Sequence, residues 1–178
     1  MAAFDALVDD CYALIYSSAY RMLNNEDDAC DATQEAFVRA YNAMHTFRRD
    51  ASFSTWLYRI AMNVCLDRLR RRGREAGTLR LLSETDEEAS VRDIPDDRND
   101  PEAEAIKTQR QSLVQEGLAE LTPEHRAVIV LYDLQGLSYE EIAGVLAVPV
   151  GTVKSRLNRA RLALRTRLEP HLELFGGE

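Results

Sequence analysis

The chain has 178 residues, 46% of them apolar and 29% charged, which is the composition of a globular protein with one medium core or two small ones. No apolar run approaches the roughly 20 residues of a membrane helix, and the N-terminus lacks the basic start and apolar stretch of a secretory signal, so we expect a cytoplasmic protein without membrane insertion. The net charge of -8 argues against a protein that coats nucleic acid by itself, because nonspecific DNA affinity comes mainly from neutralised phosphates.

Charge is distributed unevenly along the chain. Residues 1–45 hold eight acids and two bases, whereas residues 46–80 hold nine bases and three acids. Residues 83–105 hold ten acids and two bases, and residues 152–167 hold six bases and no acid. Two basic segments therefore alternate with two acidic ones, and this distribution is more informative than the total.

Three helices are predicted in the first domain, residues 1–75. Apolar residues at i, i+3, i+4 and i+7 spacing indicate an amphipathic helix over residues 4–22. A second helix over 26–43 begins with three acids, which suit the positive end of a helix dipole. A third runs over 53–72, and Gly73 is expected to stop it.

A linker and a second helical domain follow. Residues 76–105 are acidic, contain two prolines and show no apolar period, which indicates an extended linker. Residues 106–178 form the second domain, with helices predicted at 106–120, 123–134, 138–147 and 150–168. No strand-type alternation appears anywhere in the sequence, so the predicted fold class is all-α, with two small domains joined by a flexible acidic linker.

The segment 138–164 has the anatomy of a helix-turn-helix. Ser138 is expected to cap the first helix, with Glu141 completing a capping box, and Pro149 lies beyond its end. Thr152 lies at the start of the second helix, whose apolar residues are Val153, Leu157 and Ala160. The polar side chains predicted to face outward are Lys154, Ser155, Asn158, Arg159 and Arg161. Arginine or lysine can pair with guanine and asparagine with adenine, whereas Arg156 suits phosphate; a solvated basic face is the alternative.

The sequence predicts no catalytic or metal site. Cys11, Cys30 and Cys65 are far apart, are accompanied by only three histidines, and show no metal-ligand spacing. Buried free thiols in a reducing compartment are the expected interpretation, with a redox sensor as the alternative. No nucleophile with a partnered base and no phosphate-binding glycine loop can be assembled, so we predict no enzyme, no cofactor and no small-molecule substrate.

Four segments carry a family resemblance. DACDATQEAFVRAY at 28–41 and FRRDASFSTWLYRIAMN at 47–63 closely resemble the extracytoplasmic-function branch of the sigma-70 family. LTPEHRAVIVLYDLQGLSYEEIA at 121–143 and VPVGTVKSRLNRAR at 148–161 are similar to the domain of that family that binds the minus-35 element. The resemblance implies a sigma-2-like and a sigma-4-like domain in a promoter-specific initiation factor. It also implies core RNA polymerase, promoter DNA and an anti-sigma factor as partners.

The resemblance further implies three groups of site residues. Contacts with the clamp helices of the polymerase's largest subunit are expected from Asp31, Gln34, Glu35 and Phe37. Capture of unpaired minus-10 bases and of the adjoining phosphates is expected from Arg48, Asp50, Ser52, Phe53, Trp56, Arg59, Asn63, Arg70 and Arg71. Readout of the minus-35 element is expected from Thr152, Lys154, Ser155, Arg156, Asn158, Arg159 and Arg161.

Structural interpretations of the same residues stay open at this point. The polar side chains at 28, 31, 34, 35 and 39 form an acidic stripe on the second helix, which can also be a solvated face. Trp56 can be a core residue. The arginines at 68, 70, 71, 72 and 74 can be a solvated helix end with cations near the negative end of the dipole. Two other functions also stay open. One is a regulator that binds a palindromic site without polymerase, and the other is an interaction module that has kept the fold but lost promoter binding.

Overall fold

The computed structural model of the chain describes residues 2–47, 52–79 and 101–175. In these ranges the regular structure is helical and contains no strand, which confirms the all-α prediction. The seven α-helices are α1 (Ala2–Leu23), α2 (Glu26–Ala43), α3 (Phe53–Leu79), α4 (Pro101–Glu120), α5 (Pro123–Ile129), α6 (Tyr139–Leu146) and α7 (Val150–Leu168). Short 3-10 turns cover Met44–Thr46 and Glu169–Phe175, and a π-helical turn covers Val130–Leu134.

Helices α1, α2 and α3 pack into the first domain, and α2 contributes mainly small side chains to its core. Its inner face carries four almost fully buried alanines, Ala29, Ala32, Ala36 and Ala40. Their spacing of three and four residues places them on one side of the helix, where small side chains allow neighbouring helices to approach closely. The larger core side chains come from the other two helices and include Ile15, Met22, Leu57 and Met62.

Helices α4 to α7 form the second domain, whose buried side chains belong to the same apolar core as those of the first. The buried side chains of the second domain include Leu118, Val128, Leu131, Ile142, Val153 and Leu157. Helices α4 and α7 meet closely at Gly117, where an added Cβ would lie 2.7 Å from Cδ1 of Leu164. The glycine therefore allows the second half of α7 to lie against α4.

Arg126 of α5 joins the two domains through a buried guanidinium that is 6% exposed. It donates hydrogen bonds to the carbonyl oxygen of Met22 near the end of α1, to that of Ala119 near the end of α4, and to that of Leu121 at 3.2 Å. The last carbonyls of a helix have no partner within the helix, so one cation satisfies acceptors at two helix ends. Burial lowers the pKa of Arg126, but a guanidinium stays charged at neutral pH.

Further polar contacts extend the boundary between the domains along α1 and α3. The Tyr58 hydroxyl donates to Oε1 of Gln135 at 2.8 Å, and Nε2 of Gln135 lies 3.3 Å from Oγ of Ser17. The Thr55 hydroxyl donates to Oε1 of Glu141 at 3.2 Å. The other polar pairs across this boundary are Arg21 with Gln115, Gln115 with the Tyr20 carbonyl, and Arg70 with Glu124. These polar pairs lie beside apolar contacts, because the buried side chains of both domains belong to one apolar core.

Two helix boundaries predicted from the sequence are wrong. Gly73 does not stop α3, which continues to Leu79; nothing lies within 4 Å of a Cβ built at this glycine, and one glycine inside a helix costs only about 1 kcal/mol. Helix α4 begins at Pro101 and not near residue 106, because proline has the φ angle of a first helical turn and needs no N–H there. Helical structure thus covers both ends of the predicted linker 76–105, and residues 80–100 lie outside the described ranges.

We expect Arg126→Ala to lower the free energy of unfolding by about 2–4 kcal/mol, because shielded carbonyls at two helix ends lose their donor. Urea unfolding followed by circular dichroism measures the change. Arg165→Ala, the same replacement on the exposed side of α7, is the control and should cost under about 1 kcal/mol. Equal unfolding midpoints for the two variants would contradict the role assigned to Arg126.

Candidate nucleic-acid and protein interfaces

The acidic stripe of α2 is divided between paired and unpaired side chains. Glu35 accepts hydrogen bonds from Arg68 of α3 at 2.9 Å and from Arg39 at 2.6 Å, and Asp28 pairs with Arg72. The hydrogen bond from Arg68 is the main cause that lowers the pKa of Glu35. Glu35 therefore helps to hold α2 against α3. Asp31 is exposed and forms no ion pair with any described residue, so its charge is available to a partner.

Apolar side chains lie on the surface beside these acids. Val38 is 60% exposed, Tyr41 is 55% exposed, and Tyr12 of α1 is 41% exposed. Phe37 is buried except for 9% of its surface and stacks on Tyr12, with ring centroids 6.0 Å apart, so Tyr12 presents the exposed ring at this place. Sequence reasoning missed Tyr12, Val38 and Tyr41. The sequence contained a signal for the exposure of two of them, because Val38 and Tyr41 lie outside the periodic row of alanines on α2.

The three cysteines differ in their surroundings. Cys11 and Cys65 are buried, as expected, and burial raises the pKa of Cys65 to about 12. The expectation of a buried thiol is wrong for Cys30, which is half-buried, and whose Sγ accepts a long hydrogen bond from Gln34 at 3.6 Å. Cys30 lies one turn before Gln34 and thus on the predicted polymerase-binding side of α2.

Three aromatic rings cluster where the predicted minus-10 loop meets α3. Phe47 lies 5.8 Å from Phe53 and 5.3 Å from Trp56, and the last two rings are 5.7 Å apart between centroids. Ser52 caps α3 by accepting a hydrogen bond from the Thr55 N–H at 3.1 Å. Trp56 is half-buried within this cluster, which joins the two ends of the loop. The predicted site residues Arg48 and Asp50 lie outside the described residues.

The remaining predicted minus-10 residues lie along the exposed side of α3. Arg59 and Asn63 are one turn apart and both exposed, so they can contact the same strand. Arg70 lies 3.6 Å from Asp67 and 3.6 Å from Glu124 of the second domain, which partly neutralises it. Arg71 is exposed and forms no ion pair within the described ranges.

The turn between α6 and α7 confirms the helix-turn-helix prediction. Oγ of Ser138 accepts from the Glu141 N–H at 3.2 Å, and the Glu141 carboxylate accepts from the Ser138 N–H at 2.9 Å, which is the predicted capping box. The Ser138 hydroxyl also donates to the Glu141 carboxylate at 2.9 Å, and the hydrogen bonds that the carboxylate accepts from the Ser138 N–H and hydroxyl lower the pKa of Glu141. Ala147 follows the last residue of α6 and has a left-handed backbone conformation with φ of 53°. Pro149 precedes α7. The chain thus changes direction within a few residues between α6 and α7.

Helix α7 divides its side chains as the sequence predicted. Val153, Leu157 and Ala160 are buried. Exposed side chains are Lys154, Ser155, Asn158, Arg159 and Arg161, while Thr152 and Arg156 are half-buried. The Ser155 hydroxyl donates to the Thr152 carbonyl at 3.1 Å. Asn158 and Arg159 form no side-chain hydrogen bond with the described part of the chain, so their polar groups are free for a ligand.

Two tyrosines and an aspartate that sequence reasoning missed lie against α7. Tyr132 and Tyr139 stack with centroids 4.9 Å apart and planes 12° apart. Nζ of Lys154 lies 5.3 Å from the Tyr139 centroid, and Cζ of Arg161 lies 5.1 Å from that of Tyr132. Asp133 accepts two hydrogen bonds from Arg161, which raises the pKa of the guanidinium. These contacts distinguish the cations at 154 and 161 from the other polar residues of the helix.

Comparison with known proteins assigns these two domains to one family. The sequence profile of sigma-70 region 2 matches residues 7–75, and that of sigma-70 region 4 matches residues 111–164. The chain is 37% identical over 170 residues to the RNA polymerase sigma-H factor of Pseudomonas aeruginosa, which covers 96% of this chain and 88% of that protein. It is 39% identical over 166 residues to the ECF RNA polymerase sigma factor SigW of Bacillus subtilis, which covers 93% and 89%. It belongs to the extracytoplasmic-function branch of the sigma-70 family.

The fold of this sigma factor is similar to that of a solved relative. The sigma factor RpoE, in its co-crystal structure with the anti-sigma factor NepR from Bartonella quintana, gives a TM-score of 0.75. That similarity covers 95% of this chain and 98% of the other at 24% identity. Members of the sigma-70 family are non-enzymatic initiation factors that direct RNA polymerase to promoters.

The described residues of this sigma factor contain no candidate membrane span and no candidate metal site. None of their helices is both long and apolar enough to cross a membrane. No group of three histidine, cysteine, aspartate or glutamate side chains among them could hold a metal ion.

Replacing Glu35 with Gln should weaken the fold in a pH-dependent way. The pKa of Glu35 is lowered from 4.5, so its carboxylate stabilises the fold above that pH, and this stabilisation is lost as the pH falls through the lowered pKa. We expect Glu35→Gln to cost about 1 kcal/mol or less at pH 7, since the pair is partly exposed, and the difference from the native chain to shrink below pH 4.5. Urea unfolding at several pH values measures this. Asp31→Asn, which changes an exposed acid of the same helix, is the matched control. A cost for Glu35→Gln that stays constant with pH would contradict the assignment.

Proposed function

We propose that the chain binds core RNA polymerase through α2, traps the unpaired minus-10 bases with α3 and its preceding loop, and reads the minus-35 element with α7. Catalysis belongs to the polymerase, and the chain works in the cytoplasm. The observation that carries this proposal is the presence, in one chain, of a region 2 domain and a region 4 domain whose predicted contact residues are mostly exposed.

For polymerase binding, the supporting feature is a mixed acidic and apolar surface on α2. Asp31 and Gln34 supply polar groups, and Val38 and Tyr41 supply exposed apolar area beside them. Apolar residues ringed by polar ones are typical of a protein interface. In this assignment Glu35 contributes through the position of α2, and Phe37 supports the exposed ring of Tyr12.

For the minus-10 element, the supporting feature is the junction of the aromatic cluster with the polar side of α3. Asn63 offers both a donor and an acceptor to a base edge, and Arg59 one turn earlier suits the backbone. Ser52, Phe53 and Trp56 hold the end of the loop from which Arg48 and Asp50 are expected to act. Arg70 and Arg71 are assigned to phosphates of the upstream duplex.

Promoter binding requires the two domains to separate. The two elements are about 25 base pairs apart by their names, or roughly 85 Å at the rise of duplex DNA. Here α3 and α6 touch, with Thr55 3.2 Å from Glu141, and Glu124 of the second domain lies beside Arg70. We therefore assign this closed arrangement to the free chain. Its polar contacts can be exchanged for contacts with water or polymerase at low cost.

We also propose an anti-sigma factor as a regulating partner. The support is the similarity to the sigma factor RpoE, whose co-crystal structure contains an anti-sigma factor. A protein that binds both domains at once would favour the closed arrangement by mass action, since it would bind this state and not the separated one. The promoter-facing side of α3 would then stay partly covered.

The direct test adds the purified chain to sigma-free bacterial core polymerase and maps transcription starts on genomic DNA of its source. We expect new starts that share a two-part upstream element, because both DNA-reading domains act from one enzyme and their effective concentrations combine. The chain without core should bind the same DNA poorly. Tight binding to a palindromic site without core would instead support a conventional regulator, and binding to core without any initiation would support an interaction module.

Protection of Cys30 tests the α2 interface independently of DNA. In the free chain we expect iodoacetamide to modify Cys30 first, because Cys11 and Cys65 are buried and the pKa of Cys65, about 12, leaves almost no thiolate at pH 8. Core polymerase should slow this reaction, followed by mass spectrometry of the Cys30 peptide. Asp31→Arg should remove the protection. An unchanged rate in the presence of excess core would exclude this side of α2 from the interface.

A further inference from the structure

One row of side chains on α7 is spaced for readout of bases. Lys154, Asn158 and Arg161 follow one another at i, i+4 and i+7, so they lie along one side of the helix. In another class of helix-turn-helix domain, residues with this spacing supply the base contacts of a helix that lies in the major groove. Arg156 and Arg159 project from other sides of the helix and suit the phosphates.

Both ends of this row rest on aromatic rings of the same domain. Lys154 lies over Tyr139 and Arg161 over Tyr132, and the two rings stack on each other at 4.9 Å. Cation–π contacts restrain long side chains that otherwise lose rotamer freedom when they bind. The two cations are thus partly fixed before DNA arrives, which lowers the entropy cost of binding.

Asp133 fixes the orientation of Arg161. Nε of Arg161 donates to Oδ2 of Asp133 at 3.1 Å, and Nη2 donates to Oδ1. The carboxylate therefore occupies one side of the planar guanidinium. The end formed by Nη1 and the second hydrogen of Nη2 stays available, and this end has the geometry that pairs with O6 and N7 of guanine.

We propose that Arg161 reads a guanine of the minus-35 element through this free end, and that Tyr132, Asp133 and Tyr139 are positioning residues for Arg161 and Lys154. The inference rests on the proposed promoter recognition and adds to it residues that lie outside α7. Because Asp133 neutralises Arg161, the pair adds little to nonspecific attraction for phosphates. Its contribution is discrimination between bases.

The test uses holoenzyme assembled from core polymerase and the full chain. It is incubated with linear promoter DNA whose minus-35 region is randomised, and the templates retained in open complexes are sequenced. The native chain should enrich a guanine at one position. Arg161→Lys, which keeps the charge but loses the fork, should reduce that enrichment about tenfold, the low-to-middle range for one bidentate contact. Asp133→Asn and Tyr132→Leu should reduce it at the same position, whereas Tyr132→Phe should retain it.

A second measurement separates positioning from a purely structural role. Asp133→Asn releases the charge of Arg161, so it should strengthen holoenzyme binding to DNA of unrelated sequence and steepen its salt dependence while guanine preference falls. Glu140→Gln removes the same charge from an exposed place in the first turn of α6 and is the matched control, expected to keep the preference. Thermal melting of each variant identifies any loss that comes from unfolding, and the Tyr132 pair then carries the test.

The outcomes distinguish this inference from the function on which it rests. If native holoenzyme enriches no minus-35 motif, the proposed promoter recognition fails and the inference fails with it. If a motif appears but its guanines are unchanged in folded Arg161→Lys and Asp133→Asn variants, only the inference is overturned. Equal losses in Asp133→Asn and Glu140→Gln would also overturn it, because general surface charge would then explain the effect.

Discussion

A single buried cation determines how the two domains of this sigma factor meet. Arg126 belongs to the second domain, but one of its acceptors is at the end of α1 in the first. Removing a guanidinium from water is costly unless its donors are satisfied. Helix ends supply carbonyls that are otherwise unpaired to Nη1 and Nη2 of Arg126, whereas its buried Nε has no hydrogen-bond partner among the described residues. The relative position of α1, α4 and α5 therefore depends on the hydrogen bonds of Arg126. The polar pairs along α3 form with the helices in this position.

Helix α3, which we propose contacts the minus-10 element, also forms part of the boundary between the domains. Thr55 and Tyr58 belong to the same helix as Arg59 and Asn63, but they contact the second domain. One helix thus presents one side to the neighbouring domain and another to solvent. The hydrogen bonds across the boundary can be exchanged for equivalent hydrogen bonds with a partner.

Local chemistry explains which features could be predicted from the sequence. Helix periods, the capping box of Ser138 and Glu141, and the buried row of α7 depend on residues a few positions apart. The pair of Arg161 with Asp133 could not be predicted in this way, because 28 residues and a π-helical turn separate them. The same holds for Arg126, whose partners become neighbours only through the tertiary fold, and for Gly73, where the surrounding helix overrides a weak local preference.

The alanine face of α2 has a consequence for how sigma factors share one polymerase. Helix α2 contributes to the fold through its buried alanines and Phe37, whereas its outer residues, such as Asp31 and Val38, are exposed and carry little of the folding free energy. Under the proposed binding of core polymerase through α2, substitutions there change the affinity for core enzyme while the fold stays intact. Competition among alternative sigma factors in one cell can therefore be adjusted by evolution, one surface residue at a time.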